Sequence, residues 1–257
     1  MNPLAAIGRN FITFLASTGR IVLFALSIIC HCLQPPLYLR LILRQFIEIG
    51  YHSLPMVGMT TLCSGMVVAL QSYTGFARFF AEETVATVVV ISMLRELSPV
   101  LTGLMVAGRV GASMAAEIGA MQVTEQIDAL TTLSTNPYKY LIVPRIIASI
   151  ISLPFLVLIG DIIGVYGGFM IGIYKLNFNA ASYIFFIVHH LEKIDVIAGM
   201  AKAIVFGFLI TLMGCYQGFN SRRGARGVGL ATTNAVVVAS IMILLTNYII
   251  TEIFFIN

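Results

Sequence analysis

The residues best suited to chemistry in this 257-residue sequence are ionisable groups set inside apolar stretches. Arg95 and Glu96 are adjacent, about ten residues into a hydrophobic run, with Pro99 just after them. A charge surrounded by hydrocarbon is costly unless it is paired or hydrated. Two readings follow. Each side chain bonds to a neighbouring helix, or Arg95 meets a lipid phosphate along a polar cavity while Glu96 balances its charge. Neighbours on a helix point about 100° apart, so the two need not pair with each other. Asp161 sits near the centre of a second, glycine-rich apolar run, where a buried helix–helix hydrogen bond is favoured over a proton relay. Lys202 and Glu252 lie near the ends of their runs, where long side chains can snorkel.

A different chemistry is written between Glu117 and Asp128, a polar, acidic block between two apolar runs. Val123, Ile127 and Leu130 fall at i, i+4 and i+7 and form an apolar edge, with Glu125 and Asp128 facing away. A helix lying on its own membrane surface would favour Lys and Arg. An acidic one is better suited to dock a protein with a basic or polar groove.

Other constellations are thin. His31, His52, His189 and His190 are scattered without an H-E-x-x-H helix, and His189-His190 beside Glu192 reads as a solvated loop. There is no G-x-S-x-G elbow. No Gly-Lys pair exists, so a phosphate-binding P-loop is excluded, and Gly224–Gly229 reads as a flexible turn. If ATP drives this protein, the ATPase is another chain. Cys30, Cys32, Cys63 and Cys215 lack zinc spacing and read as small buried hydrophobes, with no disulfide framework.

The elements that must position these residues are membrane-spanning helices. The chain is 59% hydrophobic and 10% charged, whereas a soluble domain carries about 25% charged residues. Ile21 to Leu33 is apolar for only about thirteen residues before Pro35-Pro36, short of the roughly 20 needed to span. Residues 1–50 therefore read as interfacial N-terminal helices, with Arg40 and Arg44 toward headgroups. Spans are expected at about 53–72, 85–108, 146–174, 196–217 and 234–256, with an exposed turn at Arg78, Glu82 and Glu83 and a bend at Pro154. Glycines 160, 164, 167, 168 and 172 suit close helix packing. Ten basic residues, from Arg9 through Arg109 and Arg145 to Arg226, fall on one side of this plan and only Arg78, Lys175 and Lys193 on the other. That bias sets the amino terminus and the acidic block inside and the carboxyl terminus outside. The +4 net charge follows membrane flanks rather than a nucleic-acid surface. With no internal repeat and an odd span count, a path on a symmetry axis would need two copies of the chain.

At this point the residues resemble a known family. RELSPVLTGLMVAGRVGASMAAEIGAMQVTEQIDAL followed by NPYKYLIVPR is similar to the MlaE/YrbE family of ABC transporter permeases, as are LQSYTGF, DIIGVYGG, KAIVFGFLITLMGCYQGF and GARGVGLATTNAVV. The likeness covers nearly the whole chain from about residue 40. It implies an all-α integral membrane permease domain over residues 1–257, with five transmembrane helices and a cytoplasmic coupling helix between spans 2 and 3. It implies a homodimer in a bacterial inner membrane, driven by cytoplasmic ABC ATPase subunits that carry the ATP and Mg. An outer, periplasmic MCE-domain protein would exchange phospholipid with it, maintaining outer-membrane lipid asymmetry; the chain itself would be no enzyme and hold no cofactor. Carried over, Glu117, Met121, Thr124, Glu125 and Asp128 look like the ATPase-coupling residues, and Arg95 and Glu96 like polar residues of a lipid cavity between protomers. Ser98 stands where the family often has Gly, and Asn247 where many members have Asp, which removes any role for a charge there. Two rival readings remain: an ATP-independent carrier or channel coupled through Asp161, and a membrane-embedded lipid enzyme that would need His31 or His189.

Overall fold

The computed structural model describes residues 3–32, 34, 38–76 and 81–255, and every regular element among them is helical. The chain runs through α1 (Pro3–Cys32), α2 (Leu39–Ile49), α3 (Leu54–Phe76), α4 (Ala81–Ser92), α5 (Ser98–Val106), α6 (Ala112–Val123), α7 (Gln126–Thr132), α8 (Val143–Tyr174), α9 (Ala180–His190), α10 (Lys193–Phe219) and α11 (Ala225–Phe255). Single π-helical turns at Met93–Leu97 and Ala107–Gly111 join α4, α5 and α6 into one rod, and another at Tyr138–Ile142 leads into α8. The stretch Thr84–Val123 is 40 residues long. At 1.5 Å per residue it measures about 60 Å, twice the roughly 30 Å hydrocarbon thickness, so α6 projects well beyond the apolar zone.

Six helical stretches among the described residues are long and apolar enough to cross a membrane. Four of them contain expected spans, and Ala225–Phe255 covers the fifth, expected at about 234–256, as far as the described residues run. The sixth, Phe11–Cys32, lies in the segment expected along the interface. That expectation rested on a short apolar run, whereas α1 is one continuous 30-residue helix. Its carboxyl-terminal part is tied to the segment leading into α8 and to the end of α10: the Phe24 ring meets Tyr138, Tyr216 and Phe219, and His31 Nε2 lies 2.9 Å from Asn136 Nδ2. α2 is amphipathic as expected, with Ile42 and Ile49 buried and Arg40 and Arg44 exposed. The break at Pro35-Pro36 and the turn at Arg78 fall outside the described residues, and the side chains of Glu82 and Glu83 do too.

The core is built around α8, which is buried on several faces from Val143 to Gly172. It runs on through Pro154 as an unbroken helix. Its glycines let α3 approach backbone to backbone: a Cβ added at Gly65 would collide with the Gly164 carbonyl, and one at Gly164 with Met93. Without a hydrophobic driving force in lipid, such close packing is what holds helices together.

Three local expectations change. The presumed loop before the last span is short, because Gly224 turns the chain at φ 89° and α11 already starts at Ala225. The polar loop after α8 contains α9, capped by the Asn179 side chain on the Ala181 and Ser182 amides. Cys215 is buried, but Cys30 and Cys63 are exposed.

Candidate functional site

The first cluster starts from Pro99. A proline cannot donate to the carbonyl four residues back and crowds it, so the Arg95 carbonyl is released from the helix ladder. The chain responds with the π turn at Met93–Leu97, centred on Arg95. The same offset recurs at Pro144, four residues after Tyr140 in the π turn Tyr138–Ile142. Gly199 brings α10 against the first turn, since a Cβ there would stand 2.9 Å from the Leu94 carbonyl. One turn on, Lys202 Nζ donates to the freed Arg95 carbonyl at 2.6 Å.

Around this turn the charges are paired between helices rather than with each other. Arg95 Nε donates to Asp195 Oδ1 at 2.6 Å, and its guanidinium stacks over the Phe255 ring with Cζ 4.3 Å from the centroid. Glu96 is held by three donors: Lys202 Nζ at 2.9 Å and Thr251 Oγ1 at 2.8 Å on Oε1, and Asn247 Nδ2 at 2.7 Å on Oε2. Asp195 also accepts from the Glu192 amide, closing the capping box at the start of α10. Two cations and two carboxylates thus cancel. Lys202 and Asp195 are wholly buried, while the Arg95 and Glu96 side chains stay 29% and 37% exposed on one face. Arg95's two terminal nitrogens have no hydrogen bond among the described residues. The cluster can therefore offer a positioned guanidinium to an anion from inside an apolar sheath.

The sequence singled out Arg95 and Glu96 but not Asp195, Asn247 or Thr251, and it took Lys202 for a snorkelling residue. Burial overturns that, because the ammonium turns inward onto Glu96. A signal was present: Asp195 and Lys202 are seven residues apart and so share a helix face, and so do Asn247 and Thr251.

The second cluster lies at the far end of the rod. The acidic block is two helices. α6 stops at Val123, where Thr124 N bonds to Ala120 O and the Thr124 hydroxyl bonds back to the same carbonyl. Glu125 takes φ 60°, and α7 begins at Gln126. Ile127 is buried and Glu125 and Asp128 are exposed, but the break at Thr124–Glu125 puts Val123 on α6, so the single apolar edge expected through Val123, Ile127 and Leu130 is divided between two helices. Glu117 points the other way, into an ion pair of 2.8 Å with the almost fully buried Arg145 of α8. Met121 and Glu117 line a cavity of about 500 Å³ between α2, α6 and the start of α8, with Arg44, Arg109 and Arg145. Arg109 is spent on Glu48 and on Ser53 Oγ at 2.8 Å. Beside Glu125 and Asp128, Gln122, Ser221 and Arg223 close a smaller hollow. Thus the acidic segment and the α10–α11 turn share one end of the molecule, away from Arg95 and Glu96. Asp161 does not join either cluster. It faces a groove among α4, α8 and α9.

Comparison with known proteins places the chain in a family. A family model described as Permease MlaE matches residues 42–253. A probable ABC transporter permease protein of Rickettsia felis is 60% identical over 255 residues, 99% of this chain and 98% of the relative. A probable ABC transporter permease protein of Synechocystis is 37% identical, covering 89% of this chain and 87% of the relative. The intermembrane phospholipid transport system permease protein MlaE of Haemophilus influenzae is 32% identical over 256 residues, 99% of this chain and 98% of the relative. An all-helical, multi-pass membrane chain matched over most of its length in this way belongs to the MlaE family of ABC transporter permeases.

Proposed function

We propose that this permease subunit moves phospholipid between the inner and outer membranes of a bacterium, driven by ATP hydrolysed on a separate cytoplasmic ABC ATPase. The reading takes its cargo from the Haemophilus relative, whose name specifies intermembrane phospholipid transport. The observation that carries it is Arg95, a guanidinium oriented by Asp195 and Phe255 with its two outer nitrogens unengaged. A phosphodiester matches that fork in charge and geometry. Acyl chains would lie along the exposed apolar residues of α3, such as Met59 and Val67.

In this mechanism two copies of the chain enclose the lipid, with the amino terminus cytoplasmic and the carboxyl terminus periplasmic. ATP closes the ATPase pair, which pulls on Met121, Thr124, Glu125 and Asp128. The pull passes along the α4–α6 rod and through Glu117–Arg145 to α8, repacking the helices around the lipid. An MCE-domain protein outside exchanges lipid with the opened cavity. The test is purification of the complex in mild detergent. An ATPase and bound phospholipid are expected with the wild-type chain, the Glu125→Lys/Asp128→Lys double variant should lose the ATPase, and Arg95→Gln should lose phospholipid alone. An ATPase retained by the double variant, or full lipid content in Arg95→Gln, overturns the corresponding half of the proposal.

A further inference from the structure

The groove that holds Asp161 has a composition neither transport nor packing requires. It measures about 500 Å³ between α4, α8, α9 and the first turn of α10, a size typical of sites for small organic ligands. Its walls are aliphatic and aromatic, with Ile162, Phe169 and Ile187 among them, and Asp161 is the one carboxylic acid among its lining residues. Asp161 is more than nine-tenths buried, and its Oδ1 has no hydrogen-bond partner among the described residues. Ser98 lies within hydrogen-bond reach of the carboxyl. That contact between helices leaves Oδ1 unsatisfied, and a groove shaped only for acyl chains would do better with no carboxyl at all.

The aromatic residues give the second half of the recognition. Tyr166 and Phe169, five and eight residues beyond Asp161 on α8, stack with ring centroids 6.4 Å apart and planes 22° from parallel. Both line the same groove, and ring faces attract organic cations. Arg95, which follows the lining residue Leu94, does not oppose a cation here because Asp195 neutralises it at 2.6 Å. Ile162 is 71% exposed on the rim, so the groove opens at the surface of the single chain.

We propose that the Asp161 groove is a binding site for a long-chain ammonium amphiphile, its cationic nitrogen on Asp161 and beside Tyr166 and Phe169, and its chain along the α8–α9 wall. The site is separate from the Arg95–Glu96 cluster and does not depend on what the permease transports.

The probes are hexadecylamine and hexadecanol, each carrying an aliphatic diazirine near the chain middle, photolysed with the intact protein in phospholipid nanodiscs. Crosslinks are mapped by mass spectrometry on the peptides holding Tyr166 and Ile187, apart from Asp161 itself. The amine is expected to label these peptides about tenfold more than the alcohol, as one charge-assisted contact would give. Asp161→Asn should remove that preference and leave the alcohol's labelling unchanged, which also reports that the groove is still formed. Ile162→Trp, which narrows the mouth without touching the acid, should lower labelling by both probes. Equal labelling by amine and alcohol in the wild type would mean a groove for any apolar chain. Amine labelling that survives Asp161→Asn would remove the acid from recognition. No labelling by either probe would mean a second copy covers the groove. Each of these three results overturns the proposal.

Discussion

At the residue scale, Glu96 is the side chain on which most depends. It joins three helices by accepting from Lys202, Asn247 and Thr251, and each donor comes from a helix other than its own. The neutral amide of Asn247 is part of this balance, because an aspartate there would set two carboxylates against each other where one hydrogen bond now stands at 2.7 Å. Lys202→Met leaves Glu96 without its cation and the Arg95 carbonyl without its donor. Breaking a fully buried pair from one side costs about 3–5 kcal/mol, and the cost here is smaller because the Glu96 side chain stays 37% exposed. The thermal midpoint of the detergent-solubilised protein should fall accordingly, and Lys202→Met combined with Glu96→Gln should recover part of the loss. A Lys202→Met protein that melts like wild type would show that the pair contributes nothing to stability. Arg95 and Glu96 were legible as important from their placement in an apolar run, but their partners lie 100 residues or more away in sequence and only folding brings them together.

At the element scale, the decisive contact is α3 against α8. Glycine spacing announced close packing, yet which glycines touch backbone is a property of helix rotation. Gly65 faces the Gly164 carbonyl, whereas Gly108 has open space where a side chain would go. Gly65→Ala should therefore force the helices apart and destabilise by about 1–3 kcal/mol, the usual range for overpacking. Gly108→Ala should be silent or slightly stabilising, since alanine is the better helix former. Chemical denaturation of the two variants side by side checks this, and equal midpoints would contradict the α3–α8 register. The π turns were hidden from periodicity, although two of the three have a visible cause in Pro99 and Pro144. A proline marks which carbonyl is freed, but whether the helix kinks or inserts a residue depends on what waits to accept it. Here Lys202 does.

At the scale of the whole molecule, the acidic end and the intramembrane cluster are joined by one rod, and α8 runs beside it. Glu117 was grouped with Glu125 and Asp128 by sequence, but the fold gives it another task. It neutralises the buried Arg145 and so fastens α6 to α8. Glu117→Gln should lower the thermal midpoint through an unpaired buried guanidinium. The exposed Glu125→Gln should stay within about 0.5 kcal/mol of wild type. Equal effects of the two changes would sink this division of labour.

By itself the sequence determined that the chain lives in a membrane, roughly where five of its long apolar stretches lie, which stretch is acidic, and which family it belongs to; it missed the helix over Phe11–Cys32 and started the last span nine residues late. Those properties follow from local composition and from period, and each can be read within a window of some twenty residues. Only the tertiary structure decided that Arg95 and Glu96 are bonded to α10 and α11 rather than to each other, that Lys202 turns inward, and that Asp161 keeps a buried oxygen without a partner. Such pairings depend on helix rotation and approach to within an ångström, and no linear pattern carries that information.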